Sequence, residues 1–104
     1  MNITKVQIHP FISDKSPVQA YVDIIIDEFF IIRSMAIVKN KEEQYYYVTY
    51  PFRVQKNGTK QDIAHPLNNE TRLYIENKVL DEYEIFLNQK ASSKYHRLGL
   101  NNFR

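Results

Sequence analysis

Hydrophobic and polar residues alternate along the first half of the chain, and the alternation gives way to a longer period near residue 69. In VQAYVDIII, Ala20, Val22, Ile24 and Ile26 share one face of an extended chain, while Tyr21, Asp23 and Asp27 lie on the other. That is the period of a half-buried strand. Before it, Ile3, Val6 and Ile8 predict a short first strand ending at His9-Pro10, and Ser13, Asp14, Lys15, Ser16 and Pro17 form a loop. Asp27-Glu28 predicts a tight connection into FFIIRSMAIV, rich in β-branched and aromatic residues. The polar run Asn40–Gln44 is the next turn. YYYVTY is a fourth strand, since consecutive tyrosines suit a pleated sheet far better than a helix. Pro51 ends that strand or sits on an edge. Asn57-Gly58, a favoured type I′ pair, marks the tip of a last hairpin that returns through Lys60–Ala64.

Between about Asn69 and Gln89 the spacing becomes helical. Ile75, Val79, Leu80, Tyr83, Phe86 and Leu87 recur three and four residues apart, with Glu70, Glu76, Lys78, Asp81 and Glu84 on the wet side. The fold class this predicts is α+β. A small antiparallel sheet of about five strands has one dry face, and one long C-terminal amphipathic helix covers it.

A length of 104 residues is one domain's worth. We read residues 1–90 as that domain and 91–104 as a basic tail that need not be ordered. Hydrophobic residues make up 43%, enough for a core, and the chain has no cysteine. That excludes a disulfide framework, a thiol nucleophile and a cysteine zinc site. The longest apolar run, around IIIDEFFII, is too short and too charged to span a bilayer. MNITKVQIHP has no signal-peptide core. The expectation is a soluble, cytoplasmic protein with no membrane partner. Net charge is only +2, but its distribution is uneven. Residues 69–87 hold two basic and five acidic side chains, whereas 88–104 hold Lys90, Lys94, Arg97 and Arg104 and no acid.

The stretch DIAHPLNNETR, Asp62 to Arg72, gathers an acid, a histidine, a hydroxyl and an arginine. As a reaction centre it would need His65 as base and Asp62 as its orienter, but the fold assembles such geometry and closeness in sequence does not. A hinge explains more of it. Asp62-Ile63-Ala64 finishes a strand, and Pro66 keeps His65 out of the helical region. Leu67 packs ahead of the cap, and Asn68 or Asn69 caps the helix. Glu70 suits the positive helix end. His9, His65 and His96 show no metal-ligand spacing, and two glycines cannot build a phosphate loop. No metal, cofactor or small-molecule substrate is expected.

The same stretch resembles the stage V sporulation protein G (SpoVG) septation-protein family, whose pattern is D-I-A-H-P-I-N, then S-T-R, then a helix with V-L-N-E-Y. The matching residues are Asp62, Ile63, Ala64, His65, Pro66, Asn68, Thr71, Arg72, Val79, Leu80, Glu82 and Tyr83, with Leu67 and Asp81 as conservative departures. Upstream, the opening strand, the IIIDEFFII hairpin and the tyrosine strand ending at Pro51 fall in the family's order. The resemblance covers roughly residues 2 to 87. It implies a homodimeric, sequence-preferring DNA- and RNA-binding regulator, tied to septation and sporulation or to global gene regulation, and not an enzyme. It also marks Asp62, His65, Pro66, Asn68 and Thr71 as motif residues of the hinge. One departure is that the family's Ser-Lys-Arg type run after the fourth-strand proline is here Phe52-Arg53-Val54.

The nucleic-acid-binding candidates are Arg53, Lys56 and Lys60 on the last hairpin, Arg72 at the helix start, and Lys90, Lys94 and Arg97 after it. On sequence alone a solvated face is the better account of such lysines, since +2 falls short of a typical nucleic-acid domain. A two-fold axis would present each patch twice. Tyr45, Tyr46, Tyr47 and Tyr50 could stack bases, although alternation should bury half of them. The rival readings are a non-catalytic module that regulates division through protein contacts at an exposed strand edge, and, least supported, an enzyme using His65 and Asp62.

Overall fold

The computed structural model describes residues 1–11 and 13–97, with side chains through Gln89. Strands β1 (Ile3–Pro10), β2 (Val18–Ile26), β3 (Phe30–Asn40) and β4 (Tyr45–Thr49) form an antiparallel sheet in chain order. Each connection is local. At the β2–β3 turn, Asp27 and Glu28 carry φ of 53° and 65°, and the Phe29 amide donates to the Ile26 carbonyl at 3.0 Å. Two left-handed central residues match the twist of the strands they join. The Asp27 carboxylate also accepts from the Asn2 amide (2.9 Å), tying the N-terminus to this turn. At the β3–β4 turn, Asn40 Oδ1 accepts from the amides of Glu42 and Glu43.

The inward faces follow the alternation, interrupted by register shifts at Ile3/Lys5, Val18/Ala20 and Val22/Ile24. Ala20, Val22 and Ile24 are fully buried and Ile26 packs against them. On β3, the register passes from Val22↔Met35 to Ile24↔Ile32, so β3 carries one residue more than β2 between those pairs. Ser34, at φ 68°, takes up the excess as a bulge. The bulge puts Ile32 and Met35 on the same side of the sheet despite their odd spacing.

The expected single sheet of about five strands is instead two sheets. β5 (Phe52–Val54) and β6 (Lys60–Asp62) pair only with each other. Pro51 has no amide with which to continue a ladder, and its carbonyl instead accepts from Ile63 at 2.7 Å, closing the base of the hairpin. The tip is not the expected type I′ turn. Gly58 alone is left-handed, at φ 87°, and its amide donates to the Gln55 carbonyl (2.9 Å) across a three-residue loop. Asn57 serves through its side chain, whose Oδ1 accepts from the Thr59 amide and hydroxyl.

Asn68 caps helix α1 (Asn69–Arg97), its Oδ1 accepting from the Thr71 amide at 2.7 Å and its carbonyl from Arg72. The helix runs past the expected Gln89 because no glycine or proline interrupts the chain before Gly99. Residues 91–97 thus continue the helix backbone where a tail was expected, and 98–104 lie outside the described residues. Ile75, Val79 and Tyr83 bury against Val22, Ile24, Met35, Ile37, Val48 and Tyr50. Leu67, expected to pack ahead of the cap, is 93% exposed. A packing residue there needs an apolar partner in the first helical turns, and its place is taken by Arg72.

Candidate nucleic-acid interface

The hairpin β5–β6 projects three of the predicted cations. Arg53, Lys56 and Lys60 are all exposed. Cross-strand pairing puts Arg53 opposite Gln61, and their side chains bond at 3.3 Å. Lys60 faces the other way, with Nζ 4.7 Å from the centroid of the Phe52 ring. Asp62 sits opposite Phe52 at the hairpin base and is its one acid.

Arg72 does not join them as a free charge. Its guanidinium pairs with Glu76 at 3.6 Å and lies 5.1 Å from the centre of the Tyr50 ring. Tyr50 in turn donates its hydroxyl to Glu76 at 3.0 Å. The trio straps the first turn of α1 to the end of β4. Burial, then the hydrogen bond to Glu76, holds the Tyr50 phenol well above the ordinary value of 10.0. Burial also raises Tyr83, with the Tyr46 phenol adding to it. Lys90, Lys94 and Arg97 lie on the last turns of the helix backbone, and their side chains are outside the described residues.

His65 lies in the turn between β6 and α1. His65 Nδ1 lies 2.8 Å from the Pro66 carbonyl, and since a carbonyl only accepts, the ring nitrogen donates. No hydrogen bond joins the ring to Asp62. Beneath Ala64, His65 and Pro66 lies a cavity of about 180 Å³, lined also by Ile26, Ile32 and Ile75. Among the described residues no three His, Asp or Glu side chains gather as a metal site. No helix there is long and apolar enough to cross a membrane.

The four tyrosines alternate in direction, but only Tyr50 is buried, and Tyr46 stays 38% exposed beside the helix. Tyr46 and Tyr50 face the helix, where Tyr46 meets the Tyr83 ring edge-on at 5.5 Å. Tyr45 and Tyr47 point to the outer face, with ring centroids 6.0 Å apart. Sequence reasoning passed over two aromatic residues on that outer face. Tyr21 was visible only as the residue opposite the dry positions of β2, and Phe52 only as a missing charge. Together with Tyr47 they surround a slot of about 320 Å³ that ends at Lys60.

These features define a small α+β fold: an open sheet with one dry face, a helix across it and a cationic hairpin that pairs only with itself. The SpoVG family model matches residues 1–85. Relatives carried under the name "Putative septation protein SpoVG" include one from Myxococcus xanthus, 40% identical over 86% of each chain. Another, from Bdellovibrio bacteriovorus, is 36% identical over 81% of this chain and 74% of its own. A third, from Clostridium novyi, is 32% identical over 90% of this chain and 95% of its own. The chain belongs to the SpoVG family.

Proposed function

We propose that this protein is a non-enzymatic regulator that binds DNA or RNA as a homodimer and acts in septation, sporulation or global gene regulation. Membership of the SpoVG family supports the septation link, through the names its relatives carry. The observation that carries the binding reading is the hairpin. It stands apart from the main sheet and exposes Arg53, Lys56 and Lys60. The exposed face of α1 is acidic in Glu70, Asp81 and Glu84, and it would repel phosphate. Replacing Lys56 and Lys60 by alanine should weaken binding to all sequences about equally. It should also flatten the dependence of log affinity on log salt by about one unit per lost contact. Fluorescence anisotropy across a salt series reads both. An unchanged slope would make these charges a solvated surface.

Dimerisation has a natural edge. The β1 edge carries Lys5, His9 and Pro10, which discourage pairing. β4 is the opposite edge, with exposed Tyr45, Tyr46 and Tyr47 and no charge. Beside it, Tyr46, Leu80, Tyr83 and Leu87 line an open cavity of about 360 Å³ that a partner strand would cover. Antiparallel pairing of two β4 strands would give a continuous eight-stranded sheet. Sedimentation should therefore find twice the chain mass of 12.4 kDa at micromolar protein, and a monomer throughout would exclude this pairing. The same edge supports the second reading, a protein-interaction module, if the strand it takes belongs to another protein.

A further inference from the structure

The outer face of the sheet, turned away from the helix, holds a built slot. β2 and β4 flank β3, so their side chains stand roughly 10 Å apart across it. On this face β3 contributes Ser34, Ala36 and Val38, none of them large, which makes a low floor. Tyr21, paired with Ala36, rises on one side, and Tyr47, paired with Val38, on the other. Phe52 closes a third side, with the Lys60 ammonium over its ring. Ala36 and Val38 are only 6% and 7% exposed, although no helix covers them, because these taller side chains lean over them. Tyr21, Tyr47 and Phe52 remain about 40% exposed themselves.

We propose that this slot receives one unstacked base of a single-stranded nucleic acid, stacked against Tyr21 or Tyr47, with Lys60 on the adjoining phosphate. The proposal rests on the nucleic-acid reading above and names its substrate class. Three observations favour this occupant. Aromatic walls over a small-residue floor suit a flat ring, and every base offers a π-face. The hydroxyls of Thr49, Ser34 and the two tyrosines supply donors and acceptors for a polar ring edge. Among the eleven lining residues the single charge is Lys60, with no carboxylate, so the slot complements an anion. A base held in duplex stack cannot enter, so the site selects single strands. In a dimer paired through β4, both slots would open on the same face of the sheet.

The test uses the full chain and uridine-rich RNA oligonucleotides, read by anisotropy beside a duplex of equal length and an oligonucleotide with abasic sites. Tyr47→Leu and Tyr21→Leu keep apolar bulk but remove the π-face. Each should weaken single-strand binding about 10-fold with the salt slope unchanged, as loss of one stacked base requires. Lys60→Ala should instead flatten the slope. The abasic and duplex forms should bind wild type no better than the leucine variants bind the intact strand. Photocrosslinking of 5-iodouridine RNA, mapped by mass spectrometry, should land on Tyr21, Tyr47 or Phe52. This arm holds even if a variant folds poorly. Salt-dependent binding with wild-type affinity in both leucine variants and crosslinks confined elsewhere would overturn the slot and leave the nucleic-acid reading intact. Binding to no oligonucleotide at low salt would overturn both. Leucine variants that dissociate the dimer would make this face a protein interface, and the slot proposal would fall.

Discussion

Ile24→Ala should lower folding stability by about 2–5 kcal/mol, one of the two largest effects expected here. Ile24 is among the largest of the fully buried side chains, and it lies in the cluster that Ile75, Val79 and Tyr83 press onto from the helix. Truncation removes three carbons and leaves a hole that the surrounding strands cannot close without shifting. Because domains of this size hold only about 5–15 kcal/mol in total, the variant should unfold at a much lower urea concentration. Its m value should be unchanged. Ile25→Ala, one residue on and facing the opposite side of the sheet, is the control and should cost clearly less. Both must be compared at one protein concentration, since a dimer's stability depends on it. Equal losses would mean that the dry face of the sheet has been assigned to the wrong side.

The second large effect is alkaline. Tyr50 and Tyr83 are each 6% exposed and hold their protons above the ordinary phenol value of 10.0 in the folded chain. A raised folded value means that the stabilisation is fully present below pH 10, where both folded and unfolded phenols are protonated. Above pH 10 the unfolded chain ionises first and is favoured. Stability should fall there by up to about 1.4 kcal/mol per pH unit for each such tyrosine. Urea midpoints measured between about pH 8 and pH 11.5 should bend downward above 10. Tyr50→Phe should lose its bond to Glu76, costing about 1 kcal/mol at pH 8, and then decline less steeply. If wild type and Tyr50→Phe run parallel above pH 10, Tyr50 titrates in the folded state as it would in water, and the strap to Glu76 is weaker than its geometry implies.

The local grammar of the chain is legible in the order of its residues. Alternation in VQAYVDIII identifies the dry face of β2, and Ala20, Val22 and Ile24 are indeed its buried residues. The three- and four-residue spacing after Asn69 marks the helix and its stripe, because a helix can bury only one side. Asn68 and Asn69 ahead of that stripe offer the cap, and the fold selects Asn68. The turn at Asp27-Glu28 and the polar run at Asn40 are equally local. The DIAHPLN motif points to the family that comparison with known proteins confirms.

What sequence could not decide depends on contacts between residues distant along the chain. Nothing in FFIIRSMAIV marks Ser34 as a bulge, since a bulge is defined by the strand opposite. Pro51 announced an interruption, but not that the hairpin beyond it would leave the sheet and bring Phe52 and Lys60 over Val38 and Tyr47. Arg72 pairs with Glu76 one turn along its own helix, but only the folded chain brings the distant Tyr50 ring against both. The aromatic slot draws on five strands in two sheets, and only their packing made it a site. By itself the sequence determined the elements, the dry faces, the helix start and the family, because each rests on spacing within one stretch of chain. The tertiary structure decided which charges stay free and which aromatic rings meet, because side chains far apart in sequence acquire a common environment only when the sheets and helix close on one another.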